Sequence, residues 1–246
     1  MLPERKWEAE PLLRFVAGVC FCLSIGTLAT SAILPAAAFA TQEGKFFLFV
    51  SNSIVLHGGT LLLVAIFLRE HGIGWREGFG FKSAGLLRTL SLSLAGVVIA
   101  LPMALALQQL SAMGMKSVSV QPEVQLVVQT LQATQTLQQR VFFAFVAILG
   151  APVVEEIIFR GILYPALKQR GWPHLALWGT SLFFALTHAN VATFLPLTFL
   201  AMVLVFLYER TGNLLAPILT HSLFNAANYF ALVFQSELKE FFKVQP

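Results

Sequence analysis

The sequence predicts an all-α protein, a polytopic transmembrane helical bundle of about seven to eight spans. Of its 246 residues 57% are hydrophobic and only 11% charged, and mean hydropathy is +0.76, whereas soluble domains carry about 45–50% apolar residues. The apolar residues gather in seven runs close to the ~17–25 residues that cross a bilayer as helix. The Lys and Arg behind the net charge of +4 are scattered between those runs. They read as topology signals and exclude a nucleic-acid patch.

The runs are residues 12–40, 46–68, 86–107, 141–167, 173–192, 195–209 and 213–235. The first has a charged leader and an Ala38-x-Ala40 pattern resembling a signal-peptide cleavage site. Its core from Phe15 to Leu34 is 20 residues long, against ~7–15 for a signal core, so a retained span is expected. Cys20 and Cys22 stand two apart on different sides of that helix, which implies neither a disulfide nor a metal clip. In the second run His57 stands alone mid-span. Residues 71–85, HGIGWREGFGFKSAG, read as an interfacial loop in which Trp75, Phe79 and Phe81 anchor at the headgroups.

Residues 108–140 hold nine glutamines and almost no charge. After Pro122, the spacing of Val124, Val128, Leu131 and Gln135 predicts a helix on the outer surface that runs into the fourth span, as a connector or a lateral gate. With the N-terminus inside, ten basic residues fall on inner segments (Arg5, Lys6, Arg14, Arg69, Arg76, Lys82, Arg88, Lys168, Arg170, Arg210) and five on outer ones (Lys45, Lys116, Arg140, Lys239, Lys243). The positive-inside rule therefore favours a cytoplasmic N-terminus and a multi-pass protein of the plasma membrane. The chain divides into N-terminal transmembrane helices with an interfacial amphipathic segment, residues 1–139, and a catalytic-type core, residues 140–246.

The fourth run carries the chemistry. Within the 25 residues from Val141 to Pro165 lie Glu155, Glu156 and Arg160. Each charge at such depth costs at least ~2.5–3.5 kcal/mol on insertion scales, which marks the cluster as functional. Arg160 follows Glu156 by four residues, the favoured order for a helical ion pair. Glu155 points ~100° away and needs a partner from another span. Two later segments offer one: FALTH ending at His188, and HSLFNAAN, in which His221, Asn225 and Asn228 share a face. Each of these also has a plain reading as a hydrogen bond between helices.

Chain geometry relates them. Glu155 lies 16 residues before Gly171 and His188 lies 17 after it, so at 1.5 Å per residue both stand about 24–26 Å from a hairpin turn there. His221 follows Gly212 by nine residues, about 14 Å, so a common plane requires the first hairpin to project some 10 Å further, and the chain to turn over between Ala189 and Pro196. A carboxylate facing an imidazole can activate water, and an amide N–H with a second imidazole can donate to an oxyanion. The chain has no GxSxG motif and no better nucleophile. Two histidines and a glutamate can also bind zinc, but HExxH is absent and Asn is a poor zinc ligand, so neither metal nor another cofactor is expected.

At these residues, EEIIFR from Glu155, FALTH from Phe184 and HSLFN from His221, the chain resembles the CAAX protease and bacteriocin-processing family of intramembrane glutamic endopeptidases, over roughly residues 140–230. The resemblance implies a water activated by Glu155 and His188, an oxyanion stabilised by His221 and Asn225, and support from Glu156 and Arg160. It also implies a metal-independent site in a helical bundle, reached from the membrane and the cytoplasmic side. The expected partners are a peptide or membrane-protein substrate and the lipid bilayer. The alternative is a non-proteolytic scaffold, assembly or immunity factor that retains the same polar core. A transporter would be expected to show inverted repeats, and the sequence has none.

Overall fold

The computed structural model describes residues 7–33, 35, 37, 41–81, 85–121, 123–132, 134 and 136–235. The Ala38-x-Ala40 pattern, Pro122, Gln135 and the basic residues Arg5, Lys6, Lys82, Lys239 and Lys243 lie outside them. Among the described residues there are helices and turns but no strand, so the protein is all-α. Among the described residues five helices are long and apolar enough to cross a membrane: Ala9–Ile33, Gln42–Glu70, Leu86–Ser117, Leu137–Lys168 and Val191–Thr211.

The first is α1 (Ala9–Ile33). The second joins α2 (Gln42–Ser53), a π-helical turn (Ile54–Gly58) and α3 (Gly59–Glu70). It starts at Thr41, whose side chain accepts a hydrogen bond from the Gly44 N–H at 3.0 Å, a standard N-cap. After the single turn α4 (Trp75–Gly78) comes α5 (Leu86–Ser117), ten residues longer than the apolar run implied, because Gln108 and Gln109 continue the helix.

Next come the short α6 (Leu126–Gln132) and a fourth crossing made of α7 (Leu137–Phe145), a π turn (Val146–Gly150), α8 (Ala151–Glu156), a second π turn (Ile157–Leu163) and α9 (Tyr164–Lys168). The amphipathic segment does not run unbroken into this crossing. A capping box, in which Thr136 accepts from the Gln139 N–H at 3.2 Å and Gln139 from the Thr136 N–H at 3.3 Å, starts α7 afresh. Each π turn of this crossing precedes a proline, Pro152 or Pro165, at the next helix start. A proline ring clashes with the carbonyl four residues back, and the wider turn relieves that clash.

The chain closes with α10 (Pro173–Thr187), α11 (Val191–Thr211) and α12 (Leu215–Val233). The expected seventh run is therefore present as helix α12, though His221, Asn225 and Asn228 dilute its apolar character. At 15 residues, about 22 Å, α10 is too short to span, and it turns over at His188–Asn190. Ala189 takes a left-handed φ of 47°, an uncommon conformation for a residue with a Cβ. Asn190 caps α11 by accepting from the Thr193 N–H at 3.1 Å.

Small residues draw the later helices together. The buried face of α5 is Thr89, Ser93, Gly96, Val97, Ala100 and Ala104. The Ser93 hydroxyl donates to the Ala216 carbonyl at 3.1 Å, and the Thr220 hydroxyl donates back to the Ser93 carbonyl at 3.1 Å. Such small-residue faces let membrane helices approach closely. The opposite face of α5, including Leu87, Leu94 and Val98, is exposed, as expected where lipid is the solvent.

One end of the bundle gathers the segments assigned to the inside. Arg14 pairs with Glu70 at 3.1 Å, Arg88 donates to the Arg210 carbonyl at 3.2 Å, and Arg170 donates to the Trp7 carbonyl at 3.0 Å. Phe79 departs from the headgroup role expected for it. It is fully buried and its carbonyl accepts from the Leu214 N–H at 3.0 Å. Its ring lies so close to Gly161 that a Cβ there would stand 2.7 Å from Phe79 Cε1. At the other end Asn190 donates to the Glu123 carbonyl at 2.9 Å and Gln125 to the Thr193 hydroxyl at 2.6 Å, so the segment around α6 lies over the α10–α11 turn.

Candidate active site

Helical spacing separates the two acids. Glu156 is fully buried and Arg160 nearly so; their side chains meet at 2.8 Å. The guanidinium also donates to the Ala201 carbonyl at 3.0 Å and stands 4.7 Å over the Phe184 ring, a cation–π contact. Glu155 points elsewhere and keeps 28% of its side chain exposed, enough for water to reach it.

His221 reaches both carboxylates from α12. Its Nδ1 lies 2.9 Å from Glu156 Oε1, and its Nε2 lies 3.8 Å from Glu155 Oε2. A carboxylate only accepts, so Nδ1–H donates to Glu156 and Nε2 is turned toward Glu155. His188 follows the end of α10 with Nδ1 2.9 Å from the Phe184 carbonyl. A carbonyl also only accepts, so here too Nδ1 carries the proton and Nε2 is the free acceptor. No ion pair joins Glu155 to His188 among the described residues; the imidazole in ion-pair range of Glu155 is that of His221. Asn225, one turn beyond His221, donates from Nδ2 to the Ala147 carbonyl at 2.9 Å, which leaves its second N–H unengaged.

Phe184 is the hub. Its ring contacts Phe159, His188 and His221 at centroid distances of 5.2, 4.9 and 5.6 Å, so one buried side chain fixes residues from three helices. Nothing in the spacing of FALTH marks Phe184 as more than the residue one turn before His188.

A cavity of about 530 Å³ adjoins the cluster, lined by His188, by Ala147 and Ala151 of the fourth crossing, and by His57 of the second. Glu155 follows Ala151 by four residues, at the foot of the same stripe. The sequence left His57 without a role, because its neighbours come from spans far away in the chain. Among the described residues no group of three His, Cys, Asp or Glu side chains is placed to hold a metal ion.

With this geometry established, similarity to known proteins can be located on the fold. Residues 137–227 match the family model described as Type II CAAX prenyl endopeptidase Rce1-like. This segment is an Rce1-like domain. It runs from the start of α7 into α12 and contains Glu155, Glu156, Arg160, His188, His221 and Asn225. The chain is 33% identical over 92 residues to the "Putative membrane peptidase YdiL" of Bacillus subtilis (strain 168), covering 37% of this chain and 36% of that protein. It is 34% identical over 76 residues to the "Uncharacterized protein YpbD" of the same organism, covering 29% of this chain and 36% of that one. The matches thus span about a third of each curated relative. No solved structure matches the chain. The long apolar helices make this an integral membrane protein, and its residues 137–227 are similar to a protease family's domain.

Proposed function

We propose that the Rce1-like domain hydrolyses a peptide bond within or beside the bilayer, without a metal, using a water activated by Glu155 and His188. What supports this most is the division of labour between the adjacent acids. Glu156 is sealed between Arg160 and His221, whereas Glu155 is open to water and has no cation bound to it at hydrogen-bond distance. A carboxylate that is not held by a cation can take a proton from water.

In the proposed reaction, water adds through oxygen to the carbonyl carbon of the substrate while its proton passes to Glu155 or to His188 Nε2. The carbonyl electrons move onto oxygen, and the free N–H of Asn225 donates to that oxyanion. His221 can donate there from Nε2 once it carries a second proton; Glu156 then faces an imidazolium. The proton held at the base returns to the amide nitrogen as the C–N bond breaks. Glu156 and Arg160 act as positioning residues, holding the ring of His221 and the fourth crossing in register. The substrate is a peptide or a segment of a membrane protein, and the plasma membrane with a cytoplasmic N-terminus is the proposed setting.

Comparison of the membrane and secreted peptide profiles of cells carrying the wild type or the Glu155→Ala variant tests this function. A single precursor accumulating with the variant is the expected result. Identical profiles from equal amounts of inserted protein would refute it and favour a scaffold.

A further inference from the structure

We infer that His57, on the π turn of the second crossing, is a substrate-contacting residue, and that the cavity it shares with His188 is the cleft in which the peptide lies. This rests on the hydrolytic function proposed above and extends the site to a helix outside the Rce1-like match.

Three independent features lead to it. A histidine in mid-membrane ordinarily hydrogen-bonds a neighbouring helix, but among the described residues no hydrogen bond or ion pair reaches the His57 ring. The half-buried imidazole instead borders the roughly 530 Å³ cavity, a volume within the ~300–1,000 Å³ usual for ligand sites. Second, the ring faces the helix that carries the catalytic acids. A Cβ at Gly150 would stand 3.7 Å from His57 Nδ1, ordinary van der Waals distance, which places the imidazole beside the start of the Ala151–Glu155 stripe. Third, His57 lies on a π turn, as do the residues just before Ala151 and just after Glu156. π turns occur mostly as insertions that re-aim side chains at functional sites, and two of the three among the described residues line this cavity, through Leu56 and His57 and through Val146 and Ala147.

The lining fits an extended peptide. Leu48, Phe49 and Leu56 offer apolar contact for side chains, while Asn52 and Gln129 offer amides. The Asn52 oxygen accepts from the Thr27 hydroxyl and the Gln129 amide donates to the Val124 carbonyl, which leaves an Asn52 N–H donor and the Gln129 oxygen acceptor for a peptide backbone. His57, with one N–H and one free nitrogen, supplies the same pair of functions at the depth of the catalytic groups. Its proposed role is to hold the backbone next to the scissile bond, not to take the proton from water.

A benzophenone at position 57 tests this whatever the identity of the substrate. His57→p-benzoylphenylalanine is placed in Glu155→Ala protein in living cells, with the same probe at exposed Leu62 as the lipid-facing control, and adducts are identified by mass spectrometry after irradiation. The expected result is a peptide adduct at position 57 and none at position 62. Adducts at 57 only with lipid or with the chain itself, in cells that accumulate a precursor, would overturn the inference while leaving hydrolysis standing. A peptide adduct at 57 without any accumulating precursor would do the reverse. In the otherwise wild-type protein, pulse-chase of the precursor should show His57→Ala about tenfold slower, the factor that one lost hydrogen bond represents. His57→Gln, which keeps a donor and an acceptor, should recover part of the rate. Equal rates for His57→Ala and wild type, at equal protein levels, would also overturn it.

Discussion

Replacing Arg160 with methionine probes the buried charge cluster on which the site is built. The change removes the 2.8 Å partner of Glu156, the bond to the Ala201 carbonyl and the cation over Phe184. Glu156 keeps only the N–H of His221. Breaking a buried ion pair by removing one partner costs ~3–5 kcal/mol. The lost carbonyl bond and cation–π contact belong to the same event and are not added. Against a total stability of ~5–15 kcal/mol, that is a large share. On the scaling for globular domains of this size, ~2–4 °C per kcal/mol, it corresponds to roughly 6–20 °C in Tm. The assay is thermal unfolding of detergent-purified protein, followed by intrinsic fluorescence and by loss of the monodisperse peak in gel filtration. The double variant Glu156→Gln with Arg160→Met should regain most of the loss, because a neutral amide can accept from His221 without leaving a buried charge. It should remain poorly active, since His221 is no longer held by a carboxylate. A single variant that melts within a degree or so of wild type, or a double variant no more stable than the single, would refute the reasoning.

Other perturbations separate packing from chemistry. Gly161→Ala places a Cβ 2.7 Å from Phe79 Cε1 and should cost about 1–3 kcal/mol through overpacking; Phe79→Leu should recover part of it in the same melting assay. Asn225→Ala should lower kcat about 10²–10³-fold, the usual effect of losing one oxyanion donor, with KM for the cleaved peptide little changed. His188→Ala should lower kcat by about 10²–10⁴-fold, with Tm nearly unaffected because the ring bonds only to the carbonyl of its own helix; steady-state kinetics alongside a melt checks both.

The sequence carried the parts of this site that local spacing determines. Seven apolar runs became helical segments because apolar length and helix periodicity are properties of contiguous residues. Glu156 and Arg160 meet because four residues is one helical turn. Equal heights for Glu155 and His188 require unbroken helices, whereas the π turn Ile157–Leu163 lies between Glu155 and Gly171. Contacts between distant segments were not legible. The bond from His221 to Glu156 depends on how α12 rotates against α8, and small residues on α5 such as Gly96 set how closely α12 packs. Phe79 looked like a headgroup anchor because aromatic residues beside charges commonly are, yet Gly161, over 80 positions away, opens the space it fills. The π turns left no clear mark in the hydrophobic pattern. Two are explained afterwards by Pro152 and Pro165, but the third, which aims His57, has no proline after it.

The role of Glu155 is tested most directly by cleavage of the accumulating precursor by purified protein in proteoliposomes, with wild type and Glu155→Gln compared at equal amounts and equal Tm. Glutamine keeps the size and one acceptor oxygen of the side chain but cannot take a proton from water. The variant should therefore retain binding of the precursor and lose at least ~10²-fold in single-turnover rate. Cleavage by the Glu155→Gln variant at the wild-type rate would contradict the assignment of Glu155 as the water-activating base.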